Sequence, residues 1–469
     1  MYLVKNEPKE LDIWDEEFIK RHDVAGPRYT SYPTALQFHE EFTRQNYLDA
    51  VERSNNRKRP LSIYVHLPFC ESLCYYCACN KVITKDQDKM RRYLDNLIKE
   101  IEFTAEPFAE NRPVYQMHWG GGTPTYFDGP QLTELWYQIS RHFHLVDPDR
   151  GEFSIEIDPR TIDTDKLGLL KGLGFNRLSF GVQDFDEKVQ KAINRIQPSS
   201  MIEDLVKEAR NYQYDSLNFD LIYGLPHQTV SSVNKTIEKV IDLSPDRISL
   251  FNYAHLPQRF KSQGQMNEEA LPLAGEKLQI MCAASSRLVE AGYVYVGMDH
   301  FAKPSDELSI ALKNEQLHRN FQGYTTFKEA DLIAIGVSSI SQIDNVYCQN
   351  SKSIRDYEQA LIDGESPIVA GVELTRDDEV RRDVIMSIIC HNKLNKAEIE
   401  FTHGIDFDQY FEPEEKKLAE YADQGLLEVV PFGYQITPKG RLTVRKVCMV
   451  FDSYLSEHAK SGSRFSRII

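Results

Sequence analysis

The sequence predicts an α/β fold: a partial (β/α)6 barrel of TIM type, with an amino-terminal segment ahead of it and a mainly helical, winged-helix-like domain behind. Apolar, β-branched or aromatic runs of strand length alternate with amphipathic stretches long enough for crossover helices. The chemically unusual residues fall at the carboxyl ends of those runs, where barrel enzymes gather their sites. Beyond residue 372 the rhythm gives way to helix-capping and hairpin signals.

The strand-like runs are Leu61 to Phe69, Val114 to Trp119, Phe153 to Ile157, Arg177 to Val182, Leu217 to Tyr223 and Arg247 to Tyr253. Between them lie Met90 to Phe103, Gln131 to His142, Thr164 to Gly172, Met201 to Tyr212 and Val230 to Leu243, each with helical periodicity. Such alternation builds a parallel sheet, either doubly wound or closed into a barrel. What favours the barrel is a single mouth. Thiols follow the first run, Gly120-Gly121-Gly122-Thr123 follows the second, and Glu156 and Asp158 end the third. Gln183 ends the fourth, Asp220 lies in the fifth, and Ala254 closes the sixth.

Domain boundaries are expected at 1–55 for a lid-like amino-terminal segment, 56–372 for the catalytic barrel with its extension, and 373–469 for the carboxyl-terminal domain. The first of these contains Gly26-Pro-Arg28-Tyr29-Thr-Ser-Tyr32-Pro-Thr-Ala, which reads as too polar and proline-broken for a core element, though rich in aromatics for a solvent tail. In the last, Thr375 reads as a helix cap with Asp377 and Asp378 in the first turn and Val384 to Cys390 as the apolar face. Lys416 to Asp423 reads as a second helix, and the stretch from Leu427 through Gly433 to Thr437 as a hairpin.

With 469 residues the chain exceeds one ordinary domain. Its net charge of −16 disfavours nucleic acid as a partner, because phosphate binding needs a basic face. No apolar run approaches the roughly 18 residues of a membrane span. Met1 to Glu10 lacks the apolar segment of a signal peptide, so a cytoplasmic protein is expected.

Cys70-Glu-Ser-Leu-Cys74-Tyr-Tyr-Cys77-Ala-Cys79 concentrates four of the eight cysteines. A C-x-x-x-C-x-x-C loop offers three thiolates, enough for three corners of a cubane iron–sulfur cluster with the fourth iron left open. A structural zinc site is the alternative, although it would normally use two pairs spaced like C-x-x-C. Cys79 reads either as local packing or as a group nearer the substrate. Cys282, Cys348, Cys390 and Cys448 are scattered singly, as packing residues are. Gly120-Gly121-Gly122-Thr123-Pro124 lacks the lysine of a phosphate loop. It reads as a tight strand-to-helix turn or as bare backbone that donates amides to a small carboxylate ligand.

Tyr64-Val-His66-Leu-Pro-Phe-Cys70, the three-thiol loop and Gly-Gly-Gly-Thr-Pro resemble the radical S-adenosylmethionine superfamily. The extra C-x-C thiol and Gly26 to Ala35 narrow the resemblance to the oxygen-independent coproporphyrinogen III oxidases. So do Gly297-Met-Asp-His300-Phe, His318-Arg-Asn-Phe-Gln-Gly-Tyr-Thr-Thr326 and Phe465-Ser-Arg-Ile-Ile469. The resemblance spans essentially the whole chain. It implies a barrel of the radical-SAM type, a 4Fe-4S cluster on Cys70, Cys74 and Cys77, and two molecules of S-adenosyl-L-methionine. Tyr64, Gly121, Glu156 and Ile340 would contact the first. Tyr76, Gly122, Thr123, Gln183, Arg195, Asp220 and Ala254 would contact the second. Tyr76 stands where phenylalanine is also found, and Ala78 where glycine is frequent.

The implied reaction is conversion of two propionates of coproporphyrinogen III to vinyl groups, giving protoporphyrinogen IX for haem synthesis. A 5′-deoxyadenosyl radical starts it, with an external one-electron donor such as flavodoxin or ferredoxin. A monomer is expected. Because carboxylates favour bidentate arginine, Arg28 and Arg319 are candidate substrate anchors. Ordinary surface arginines are the alternative at both positions. Tyr64, Glu156, Arg28 and Arg319 form the candidate catalytic set. Two rival functions are a haem chaperone of the same superfamily and a zinc-stabilised interaction protein.

Overall fold

The structure, a computed structural model, describes residues 15–109 and 111–455. The terminal motif Phe465 to Ile469 lies outside the described residues. Six parallel strands appear where the sequence places them: β1 (Leu61–Leu67), β2 (Pro113–Gly121), β3 (Glu152–Ile157), β4 (Arg177–Gln183), β5 (Ser216–Tyr223) and β6 (Arg247–Asn252). Helices α1 (Gln87–Ala105), α2 (Gly129–His142), α3 (Thr164–Leu173), α4 (Ser199–Asn211) and α5 (Val230–Leu243) make the crossovers.

Each strand alternates with period two, which sorts its side chains between helices and lumen. In β1, Ile63 and Val65 are buried in the core while Ser62, Tyr64 and His66 carry the polar atoms. The partner strands are in phase, with Tyr64 opposite His118 and His118 opposite Ser154. The lumen is consequently laced with hydrogen bonds: Ser62 to Gln116, Ser179 to Asp220 and Ser249 to Asn218. On the outer face the buried Trp119 packs edge-on to Phe175 with centroids 4.9 Å apart.

The sheet continues past six strands at both ends. On one side β7 (Val294–Gly297) and β8 (His300–Ala302) follow, β8 running antiparallel to β6. A hairpin, β9 (His318–Asn320) and β10 (Gly323–Thr325), then reaches the lumen, where Thr325 donates to Gln116 and Thr326 to Glu152. On the other side β11 (Asp331–Ile335) runs parallel to β1 and leads into β12 (Ile340–Ile343), β13 (Val346–Asn350) and β14 (Ile368–Glu373).

Residues 375–451 form helices around a three-stranded antiparallel sheet, a winged-helix arrangement. Thr375 caps α6 (Arg376–His391) in a reciprocal box with Asp378. β15 (Lys393–Asn395) and the hairpin β16 (Leu427–Val430) and β17 (Gly433–Ile436) make the wing.

The amino-terminal motif corrects the sequence reading. Tyr29 and Tyr32 are fully buried in one core with Val444, Val447 and Phe451. Each tyrosine carries a hydroxyl that must be satisfied when buried. Tyr29 donates to Asp452 at 2.9 Å, and Tyr32 is hydrogen-bonded to Ser453 at 2.9 Å. The segment is a core element of the carboxyl-terminal unit, held by partners more than four hundred residues away in sequence.

Candidate active site at the barrel mouth

A cavity of about 420 Å³ opens at the carboxyl ends of the strands. Cys70, Cys74, Cys77 and Cys79 line it from the loop after β1. That loop is pinned at both ends: Val82 donates to the Pro68 carbonyl at 2.7 Å and Thr84 to the Cys70 carbonyl at 3.1 Å. Each of two thiols has a donor of its own. Thr123 Oγ1 lies 3.3 Å from Cys70 Sγ, while Arg195 Nη1 and Arg160 Nη2 lie 3.5 and 3.6 Å from Cys74 Sγ. Hydrogen bonding from Cys79 brings the Cys77 thiol down to about 6 against the opposing effect of burial, while burial pushes Cys70 up to about 11. Donors aimed at sulfur favour the thiolate, the form that binds metal.

This donor set fits a cluster held at three corners. Among the described residues no three of His, Cys, Asp or Glu converge on a point where one metal ion would sit. A cubane, whose corners are separate irons, requires no such convergence. The site residues thus suit the cluster that the sequence pattern implies.

Glu156, at the end of β3, is the lumen's fixed anion. Burial pushes its carboxyl up, but His118 and the Gly121 amide outweigh this and hold it below the usual range. His118 Nε2 lies 3.3 Å from Oε1, and Gly121 N–H donates to Oε2 at 3.1 Å. Tyr64 stacks on His118 with an interplanar angle of 13° and is hydrogen-bonded to His66 Nδ1 at 3.0 Å. Tyr64 is thus not itself in the cavity lining; it holds His66 and His118, which in turn abut the lining residues Gly121 and Glu156.

The glycine loop is shaped by close approach. A Cβ at Gly122 would stand 2.5 Å from the Pro68 carbonyl carbon, and Gly121 has φ +112° with the His66 ring 2.6 Å from its would-be Cβ. Both glycines and Thr123 line the cavity. The loop is both the tight turn and the bare surface that the sequence left as alternatives.

Across the cavity stand Tyr76, Gln183, Arg195 and Asp220. Gln183 sits at a bulge in β4 with φ +66°, an uncommon conformation for a non-glycine residue. Arg195 bonds Asp158 at 2.9 Å, and Asp158 also pairs with Arg160 at 2.7 Å. Burial brings Asp220 up to about 6.

Besides Tyr64, four sequence candidates lie outside this wall. Ala254 presents its carbonyl to Gln263 at 3.2 Å, and Ile340 begins β12. Arg28 is ion-paired with Asp299. Arg319 is 4% exposed, which removes the surface-arginine alternative at that position. Sequence reasoning missed Arg160, His66 and His118. Arg160 follows Asp158 at a strand's carboxyl end, and the two histidines alternate with apolar residues in β1 and β2, the one signal that could have placed them in the lumen.

The pattern of the Radical SAM superfamily matches residues 64–240, and that of the HemN C-terminal domain matches 374–443. The oxygen-independent coproporphyrinogen III oxidase of Pseudomonas aeruginosa is 50% identical over 456 residues, 97% of this chain and 99% of that one. The Escherichia coli protein of the same name is 47% identical over 97% of this chain and 98% of its own. A solved structure described as "Coproporphyrinogen III oxidase (HemN) from Escherichia coli is a Radical SAM enzyme" superposes with a TM-score of 0.90 at 46% identity, covering 94% of this chain and 99% of that one. The chain belongs to the family of oxygen-independent coproporphyrinogen III oxidases within the radical SAM superfamily.

Proposed function

We propose that this protein converts coproporphyrinogen III to protoporphyrinogen IX without oxygen, with Cys70, Cys74 and Cys77 holding a 4Fe-4S cluster. The observation that carries the assignment is the meeting of these three thiols with Glu156, the glycine loop and Arg195 around one cavity. A cluster held there would, with S-adenosyl-L-methionine, supply a 5′-deoxyadenosyl radical able to take a β-hydrogen from a substrate propionate; loss of that side chain's carboxyl as carbon dioxide and of one electron to an acceptor would leave the vinyl group.

The chain's own residues position and shield that chemistry. Glu156, made anionic by His118 and the Gly121 amide, is suited to the ammonium group of the first adenosylmethionine. Gly121 contributes bare backbone, and Tyr64 and Ile340 are the further contacts proposed for this molecule. For the second molecule, Arg195 and the Gly122 and Thr123 loop offer donors to a carboxylate, and Asp220, Gln183, Tyr76 and Ala254 surround the rest. Arg28 and Arg319 are the proposed carboxylate partners of the substrate, and the segment around Arg28 closes the mouth as a lid. The relatives' shared name favours this reading over the haem chaperone.

We assign 1–55, 56–372 and 373–469 as the three functional pieces, a cytoplasmic setting, a monomer, and a small one-electron protein such as flavodoxin or ferredoxin as reductant. No described helix is long and apolar enough to cross a membrane. The decisive assay is anaerobic: reduced, reconstituted protein with adenosylmethionine and coproporphyrinogen III, scored for 5′-deoxyadenosine and carbon dioxide together. Absence of both products from protein carrying its full iron and sulfide would reject the assignment.

A further inference from the structure

We propose, on the oxidase reading above, that His300, Arg319 and Tyr324 form a second anion site beside the main cavity, and that it takes a propionate carboxylate which the reaction leaves intact. Register sets His300 into the lumen. Gly181, Asp220, Ser249 and His300 lie side by side across β4, β5, β6 and β8, and Asp220 lines the cavity. The His300 ring stands edge-on to Phe251, another lining residue, with centroids 6.2 Å apart. Arg319 and Tyr324 are cross-strand neighbours on the β9–β10 hairpin. The guanidinium carbon lies 4.8 Å from the Tyr324 ring centre, and that ring is edge-on to His300 at 5.4 Å.

These groups leave hydrogen-bonding atoms unused where water is excluded. Arg319 is 4% exposed, yet its Nε and Nη1 have no partner among the described residues, nor have the Tyr324 hydroxyl and His300 Nδ1. Leaving such donors unpaired is costly, and an unpaired buried guanidinium is the costliest of them. Positive charge accumulates around them. Arg28, itself paired with Asp299, and Arg445 lie close enough that each has its pKa pulled down to about 10, by burial first and then by Arg445 and Arg319 for Arg28 and by Arg319 for Arg445. Burial, then Arg319 and Arg28, hold His300 down at about 3, so it is neutral and adds no further cation. A carboxylate answers these open donors: it accepts a guanidinium fork and a phenol hydroxyl.

The site suits a carboxylate that stays. His300, Arg319 and Tyr324 are not among the residues that line the thiol cavity, whereas Phe251, which His300 meets edge-on, is, so an anion held by them is not the one beside the cluster loop. Carboxylate charge also disperses as carbon dioxide leaves. A guanidinium clamp on the reacting propionate would hold the ground state more tightly than the transition state and slow the step. Clamping a retained propionate instead orients the macrocycle while its neighbour reacts.

The test measures binding to the anaerobic holoenzyme of coproporphyrin III, a stable tetracarboxylate, against its tetramethyl ester. Arg319→Gln is expected to weaken the acid at least tenfold, Tyr324→Phe severalfold, and Arg319→Lys less than Arg319→Gln, with ester affinity unchanged in all three. Unchanged acid binding in Arg319→Gln, or equal weakening of acid and ester, would overturn the site. Because the readout is binding, a wild-type protein that released neither 5′-deoxyadenosine nor carbon dioxide would sink the oxidase reading and leave this comparison decisive.

Discussion

Glu100 gives the protein a measurable pH dependence close to the site. It lies on α1 and is 2% exposed. Its carboxyl accepts from Gly336 N–H at 2.7 Å, from Asn350 Nδ2 at 2.6 Å, and from the Tyr357 hydroxyl. Gly336 in turn abuts the His66 carbonyl, to which Tyr93 also donates, so this network braces β1 just before the cysteine loop. Burial pushes Glu100 up to about 7 from the usual 4.5 in spite of the three donors. Between those values the native state keeps a proton that an opened state releases, so stability here falls as pH rises through the window. At about 1.4 kcal/mol per unit, the change between pH 5 and 7.5 is about 2.4 kcal/mol after allowing for partial ionisation at both ends. Amide exchange at Gly336 and Val337, corrected for intrinsic rates, should therefore accelerate about sixtyfold across that range in the wild type. In Glu100→Gln protection should start lower and stay flat. Parallel pH profiles for the two proteins would refute the assigned titration.

Three further outcomes follow from packing and ligation. Cys74→Ser should lose the brown cluster absorbance and both reaction products, whereas Cys348→Ser, in buried β13, should keep both, as absorption spectra and product assays will report. Trp119→Ala, at a fully buried position against Phe175 and Trp136, should cost about 3–5 kcal/mol and lower the thermal midpoint accordingly. Gly122→Ala forces a methyl against the Pro68 backbone and should cost about 1–3 kcal/mol, together with weaker adenosylmethionine binding by equilibrium dialysis.

The barrel was legible because its strands are marked twice. Apolar residues such as Ile63, Val65, Met117 and Trp119 face the helices, while the residues between them are the polar ones that face the lumen. The Thr375 cap and the wing hairpin were legible because their signals are local. Long-range pairing was not. Nothing around Asp331 announces that β11 will lie against β1, with Leu61 opposite Asp331. Glu100 looks like any glutamate on an amphipathic helix, since its burial depends on Asn350 and Tyr357, which lie 250 and 257 residues away. Tyr29 and Tyr32 were misread for the same reason. Their neighbours in sequence are turn residues, and the apolar surface that buries them belongs to the chain's other end.

That misreading changes how the lid can be tested. Deleting residues 1–35 would remove Tyr29 and Tyr32 from the core they share with Val447 and Phe451, so lost turnover would report an unfolded carboxyl-terminal unit as readily as an open mouth. The proposed lid is thus a strap anchored on that unit, with Arg28 carried across to Asp299 on the barrel. Arg28, Arg319 and Arg445 then come from three distant stretches of chain, yet Arg28 feels the charge of the other two. Like charges gathered by long-range folding oppose the packing that brings them together. An anionic ligand bound among them would relieve that repulsion, so the carboxylate proposed to orient the substrate would also tighten the strap, the hairpin and the carboxyl-terminal unit around it.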